Sequence, residues 1–286
     1  MESYISGTTQ LIGLIATPIR HSISPQMHNT AFSKLGLDYA YLAFDIEPNQ
    51  LEATINGFKA MGVRGFNVSM PYKTAIIDYL DELSPAAKLC QSVNTVVHEN
   101  GKLIGHMTDG SGLIRSFMDQ GYDIRGKKMT VIGCGGAGKA ILIQAALDGA
   151  AELAVFNRSV DRGIEIVKLI NEQSDCRATF YELSDEVSLK KQLFNSDFLV
   201  NATSVGMADL EGQSIIKDPS ILPSHLVVCD IIYNPRKTKL LEQAEARGCQ
   251  MMNGVGMIIY QGAEAFKLWT GEEMPIDEIK SVLGLY

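Results

Sequence analysis

Short apolar runs alternate with stretches of helical period along the whole chain. In the first hundred residues, 11–16, 39–45, 65–68 and 93–98 are rich in β-branched and aromatic residues and predict strands. Between them, 25–35, 50–61 and 74–80 carry apolar positions at helical spacing. Strands alternating with helices predict βαβ units and a largely parallel sheet. Ser24 followed by Pro25 predicts a helix start, with the serine as N-cap and the proline in the first helical position.

A helical stretch over 112–120 leads into a polar connection, 121–128 (GYDIRGKK), and a second series begins. Its strands are expected at 129–132, 153–156, 198–201 and 226–231, with helices between them. The tail is helical over 257–269 and 275–283, and no strand follows. A length of 286 residues suits about two domains. The change of pattern puts their boundary near residue 110. The expectation is a first α/β domain over 1–110 and a second over 111–257. The helices from about 258 to 286 are free to pack back on the first.

The second domain opens on Gly133-Cys134-Gly135-Gly136-Ala137-Gly138, a full G-x-G-x-x-G. It follows the strand at 129–132 and starts a helix over 139–147, which is the setting a dinucleotide site requires. Gly133 permits a tight turn, Gly135 lets backbone N–H groups approach a pyrophosphate, and Gly138 lets helix and strand pack closely. The helix N-terminus adds unpaired donors and partial positive charge. A Rossmann-type, doubly wound fold is therefore expected. The next strand ends in Asn157-Arg158-Ser159-Val160-Asp161-Arg162. No carboxylate stands directly at its tip, and Arg158 with Arg162, helped by Ser159, suits the 2′-phosphate of NADP. Asp161 could take a ribose hydroxyl instead, which keeps NAD open.

Composition narrows the function. The net charge of −8 argues against a nucleic-acid binder, which needs surplus Lys and Arg to neutralise phosphates. Five cysteines, widely spaced and odd in number, form no C-x-x-C pair and suggest a reduced protein. The start, Met1-Glu2-Ser3-Tyr4, has no basic segment followed by an apolar one, and no apolar run reaches membrane-spanning length. A soluble, cytoplasmic protein is expected, with a small-molecule substrate and no membrane or nucleic-acid partner. A homodimer stays open. His21, His28, His98, His106 and His225 show no ligand spacing, so no metal site is expected. His21 or His106 could serve as acid/base, but neither has the polar company that Lys73 has.

Polar residues cluster where apolar strands end: His21-Ser22-Ile23-Ser24-Pro25, Asn67-Val68-Ser69-Met70-Pro71-Tyr72-Lys73, and Ser92-Val93-Asn94-Thr95 with Thr108-Asp109-Gly110. In open α/β sheets ligands bind outside the carboxyl ends of strands. Taken singly, these residues also read as a cap, turn residues and a solvated lysine.

Together they resemble the shikimate dehydrogenase family in order and spacing. The likeness runs through Ser22-x-Ser24-Pro25 with His28-Asn29, Asn67-Val68-Ser69-x-Pro71-x-Lys73, Val93-Asn94-Thr95 and Thr108-Asp109-Gly110-x-Gly112. It continues through the glycine turn, Asn201-Ala202-Thr203 with Gly206-Met207, the segment from Asp230 to Pro235, and that from Gly254 to Gln261. The resemblance implies NADPH-dependent reduction of 3-dehydroshikimate to shikimate, on the route to chorismate and the aromatic amino acids. By position, Ser22 and Ser24 would hold the substrate carboxylate, and Ser69, Asn94 and Asp109 the ring hydroxyls. Tyr233 and Gln261 would close over the ligand, and Lys73 and Asp109 would form the catalytic pair. Gly133, Cys134, Gly135, Gly136, Ala137, Asn157, Arg158, Ser159, Asp161, Arg162 and Gly254 would hold the cofactor.

The family commonly has Asn where Met107 stands, Ala where Cys134 stands and Thr where Ser69 stands, and none of these departures removes a needed group. The roles make chemical sense, because hydride delivery builds negative charge on the carbonyl oxygen and an ammonium there both stabilises it and supplies the proton. A carboxylate such as Asp109 would keep that lysine charged and oriented. The stretch from Gly256 to Gly271 resembles the branch that accepts quinate as well as shikimate. A catalytically silent nucleotide-sensing regulator is the alternative of another class, and Lys73 and Asp109 both argue against it.

Overall fold

The computed structural model describes residues 5–20 and 22–284. These divide into two compact α/β units, one running to Thr108 and resuming at Gln261, the other spanning Asp109–Tyr260. No helix among the described residues is long and apolar enough to cross a membrane.

The first unit contains β1 (Gln10–Ala16), α1 (Ser24–Leu35), β2 (Tyr39–Asp45), α2 (Leu51–Ala60), β3 (Gly65–Val68), β4 (Glu82–Leu83), α3 (Pro85–Cys90), β5 (Thr95–Glu99) and β6 (Lys102–His106). Its sheet has the order β2-β1-β3-β5-β6-β4. β1 pairs in parallel with β2 and β3, as βαβ units require. β5, however, is antiparallel to both β3 and β6, so one strand of this largely parallel sheet runs against the other five. The cause is local. Asn100 and Gly101 take φ values of 50° and 76°, a two-residue turn whose twist closes an antiparallel hairpin. Between β3 and β5 the chain makes only short helical pieces, and the helix expected over 74–80 is a 3-10 turn, Ala75–Tyr79.

The start of α1 also differs from expectation. Ser24 lies inside the helix and Ile23 holds the cap position, with no side-chain cap bond. The Ser24 hydroxyl accepts no cap bond and is engaged instead with the phenol of Tyr41.

The second unit runs α4 (Asp109–Asp119), β7 (Lys128–Ile132), α5 (Gly136–Leu147), β8 (Glu152–Asn157), α6 (Val160–Gln173), β9 (Arg177–Glu182), α7 (Glu186–Asn195), β10 (Phe198–Asn201), β11 (Val227–Asp230), α8 (Lys239–Ala246) and β12 (Gln250–Met252). Helix α9 (Val255–Thr270) begins in this unit and ends in the first, where α10 (Ile276–Val282) follows. The strand order is β12-β11-β10-β7-β8-β9, and every pairing is parallel. The chain thus starts at β7, builds outward to β9, and returns to the other side of β7 at β10. This is the doubly wound fold, and the reversal opens a crevice at the carboxyl ends of β7 and β10.

Each unit has its own core. In the first, Phe32, Tyr41, Phe266 and Trp269 surround the fully buried His28. Trp269 lies so close to β3 that a Cβ on Gly65 would fall 2.3 Å from its indole nitrogen, which donates to Val96 O at 2.9 Å. Only glycine admits that approach. In the second, Phe156, Leu199, Val228, Leu193 and Leu240 pack together between sheet and helices.

Candidate active site

β1, β3 and β6 end at one edge of the first sheet, and β5 begins there. That edge collects the polar segments singled out in the sequence. Asn67, the third residue of β3, is buried and fully partnered. Its Oδ1 accepts from Tyr41 Oη at 2.7 Å, and its Nδ2 donates to Asn94 O at 3.1 Å and Thr95 Oγ1 at 3.0 Å. Asn94 in turn binds Thr108, accepting from its N–H at 2.9 Å and donating to its Oγ1 at 2.9 Å. Val93 N donates to Lys73 O at 2.8 Å. The Val93-Asn94 segment therefore holds the main chain of Lys73 on one side and Thr108 on the other, and the residue after Thr108 is Asp109.

The serine turn hangs on the same frame. Ser24 N donates to Ser22 Oγ at 3.2 Å, and the Ser24 hydroxyl meets the Tyr41 phenol, whose pKa burial pushes above its usual range. Ser69 is held by its N–H to Ile15 O at 3.0 Å and accepts from Tyr72 N at 2.9 Å. Buried amides and hydroxyls (Asn67, Asn94, Thr95, Thr108) thus support half-buried ones (Ser22, Ser24, Ser69) and the half-buried Lys73. Buried polar groups that satisfy one another fix position, because each lost bond leaves a costly orphan. Tyr41 was not singled out in the sequence, where it reads as a core position of an apolar strand.

Three further residues were expected at the substrate. Asp109 is the first residue of α4, half-buried, at the start of the second unit. Tyr233 is 54% exposed, in the loop between β11 and α8. Gln261 is half-buried on α9 in the first unit. Of the two histidines considered as acid/base, His21 lies outside the described residues. His106 sits in β6, where burial pushes its pKa down.

In the second unit each glycine of the turn has its own constraint. Gly133 has φ 108°, and a Cβ there would lie 2.8 Å from Ala202 O. A Cβ on Gly138 would lie 2.1 Å from Gly133 O, whereas Gly135 and Gly136 face open space. Helix α5 starts at Gly136 without a side-chain cap, so its first backbone donors are available to an anion in that space. Asn157 braces the turn, accepting from Cys134 N at 3.1 Å and donating to Ser159 O at 2.9 Å. Burial pushes the Cys134 thiol up to about 11, which makes it a packing group rather than a nucleophile. Arg158, Ser159, Asp161 and Arg162 are exposed. Arg158 lines a cavity of about 620 Å³ that also takes in Ser184, the cations Lys190 and Lys217 and the carboxylates Glu186 and Asp218, residues that sequence reasoning passed over because they follow later strands. Gly254 packs on the loop after β11, where a Cβ would lie 1.9 Å from Ile231 O. An open, uncapped helix start fits a dinucleotide phosphate chain.

Similarity to known proteins runs along nearly the whole chain. Residues 14–96 match the family described as the shikimate dehydrogenase substrate binding domain, and residues 254–283 match the shikimate 5′-dehydrogenase C-terminal domain. A protein named shikimate dehydrogenase (NADP(+)) from Listeria monocytogenes is 52% identical over 98% of this chain and 97% of its own length. One of the same name from Streptococcus pyogenes is 50% identical over 99% of both. The crystal structure of shikimate 5-dehydrogenase from Listeria monocytogenes, in complex with shikimate and NAD, superposes with a TM-score of 0.96. It is 51% identical and covers 99% of both chains. The chain belongs to the shikimate dehydrogenase family.

Proposed function

We propose that the chain catalyses the reversible, NADP-dependent reduction of 3-dehydroshikimate to shikimate, a step toward the aromatic amino acids. The observation that carries this reading is the polar edge of the first sheet. There a frame of mutually bonded amides and hydroxyls supports several neutral donors and holds the main chain of one lysine, Lys73. A neutral donor contributes less per contact than a charge-assisted one, so such an edge discriminates by number. A ring carboxylate dense in hydroxyls matches it. The relatives, 50–52% identical over nearly the whole chain and named for NADP(+), support the cofactor, and the exposed Arg158 and Arg162 suit its 2′-phosphate.

Ser22 and Ser24 take the carboxylate, Ser69 and Asn94 the ring hydroxyls, and Tyr233 and Gln261 further ligand contacts. The turn from Gly133 to Ala137, with Asn157, Arg158, Ser159, Asp161, Arg162 and Gly254, holds the dinucleotide. NADPH, when bound, supplies the hydride. Lys73 donates a proton to the ketone oxygen as negative charge develops there, and Asp109 contributes the carboxylate that favours the charged lysine. In the reverse direction Lys73 accepts the hydroxyl proton as hydride leaves the ring carbon.

The test is NADPH oxidation with 3-dehydroshikimate and NADP⁺ reduction with shikimate, repeated with Lys73→Ala. The variant is expected to lose about 10²–10⁴-fold in kcat, with NADPH affinity unchanged. Full activity in the variant refutes the role of Lys73. An inactive parent points instead to a nucleotide-sensing regulator. Running quinate and NAD⁺ alongside tests the specificity, and comparable turnover would widen the assignment to both ring acids.

A further inference from the structure

Asp230 is the last residue of β11 and is fully buried. Its Oδ1 accepts from Asn201 Nδ2 at 3.1 Å and from Ile232 N at 3.2 Å, and its Oδ2 accepts from Thr238 Oγ1 at 2.7 Å. Thr238 caps α8, accepting from Leu241 N at 3.4 Å, so its hydroxyl proton points to the carboxylate. All three contacts are neutral donors, an arrangement that suits the ionised form. No cation among the described residues pairs with Asp230. Burial raises its pKa, and the three donors offset only part of that rise.

A buried charge without a counter-ion is expensive, and the partial positive end of α8 offsets only part of that. The position of the charge supplies a reason for it. A dinucleotide crosses a doubly wound sheet from the half that takes the adenosine, here β7–β9, to the half that takes the nicotinamide, here β10–β12. Asp230 stands at the carboxyl end of that second half. The segment it anchors carries Tyr233, and Gly254 N donates to Ile232 O at 2.9 Å. The nicotinamide ring is cationic in NADP⁺ and neutral in NADPH, so a fixed negative charge acts on one redox state and not on the other.

We propose that Asp230 is an electrostatic bias on the cofactor site that favours bound NADP⁺ over bound NADPH and so draws the bound reaction toward ketone reduction. This rests on the reading of the glycine turn as a nicotinamide-dinucleotide site. The measurement needs no turnover. NADPH is titrated by its fluorescence and NADP⁺ by its displacement of NADPH, in the parent, Asp230→Asn and Thr238→Val. In Asp230→Asn the ratio of the NADP⁺ to the NADPH dissociation constant is expected to rise about tenfold. Thr238→Val keeps the carboxylate and loses one of its donors, so the ratio is expected to stay within about twofold of the parent even if stability falls. A structural tie alone would weaken both nucleotides in parallel in Asp230→Asn, and that result overturns the proposal. Should Asp230→Asn fail to fold, as judged by its melting curve, the smaller Asp230→Ser is read in the same way. A parent that binds neither nucleotide refutes the reading of the site itself.

Discussion

His28 offers a sharp test of how this chain resists acid. Its ring is fully buried, stacked on Tyr41 with centroids 4.5 Å apart and met edge-on by Trp269 at 5.3 Å. Neither ring nitrogen has a hydrogen-bond partner among the described residues. Burial alone pushes the imidazole from an ordinary 6.5 down to about 3, so the folded chain keeps it neutral. Above pH 6.5 folded and unfolded chains both carry neutral imidazole and the group has no pH-dependent effect. As pH falls below 6.5 the unfolded chain takes up a proton that the folded chain refuses, and stability drops until the folded pKa is reached. Between pH 7.5 and 4.5 this one residue should remove about 2.6 kcal/mol. Replacing it with leucine, an apolar side chain of similar volume, removes the titration and also the unpaired ring N–H, which itself costs about 1–3 kcal/mol. Urea midpoints of parent and His28→Leu at the two pH values are the assay. Carboxylates held below their usual range, such as Asp81 and Glu152, destabilise both proteins alike in acid and cancel in the comparison. The variant should match or exceed the parent at pH 7.5 and pull ahead by about a further 2.6 kcal/mol at pH 4.5. Parallel pH profiles would show that His28 is not held neutral by burial.

Other perturbations separate packing from binding. Gly138→Ala would press a methyl against Gly133 O, 2.1 Å from the built Cβ, and should cost about 3 kcal/mol on a denaturant curve. Gly135→Ala puts its methyl in open space, so the melting temperature should hold while NADPH affinity falls at least about tenfold. The reverse ranking would misassign the two glycines. Arg158→Ala should raise KM for NADP⁺ by about tenfold or more and leave NAD⁺ unaffected, with the effect shrinking in high salt because the side chain is exposed. Equal losses for both cofactors would remove its role at the 2′-phosphate.

The legible parts of the fold are those buried on both faces. β8, β10 and β11 are almost wholly buried, so they appear in the sequence as unbroken apolar runs. β9 and β12 are edge strands with half or more of their residues exposed, and RATFYE and QMM give no such run. β6 was passed over for another reason. Its five residues include Gly105, required because a Cβ there would lie 2.6 Å from Leu80 and 2.8 Å from Val93, and a glycine breaks the pattern that marks a strand. Strand direction was not readable either, since antiparallel β5 depends on a two-residue turn whose effect shows only in three dimensions. The candidate site was legible where a polar cluster follows an apolar run, as at Ser69 and Lys73. It was not legible at Tyr41, because a phenol on an apolar strand looks like core until its hydroxyl is found between Ser24 and Asn67.

The choice of buried polar side chain in each sheet follows from its neighbours rather than from its place on the strand. Asn67 and Asp230 both stand in the last two residues of short, fully buried strands. Around Asn67 one neighbour donates, Tyr41, while Asn94 presents a carbonyl oxygen that can only accept. A carboxylate there would face that oxygen without a proton between them, so only a group that both donates and accepts closes the network. Around Asp230 every neighbour donates, so an amide would turn an N–H₂ against an N–H or O–H, and an acceptor-only group is needed. A carboxylate in such a place also brings a charge, and a charge acts at longer range than a hydrogen bond. The first sheet therefore fixes its site with geometry alone, whereas the second fixes its site with geometry and a field.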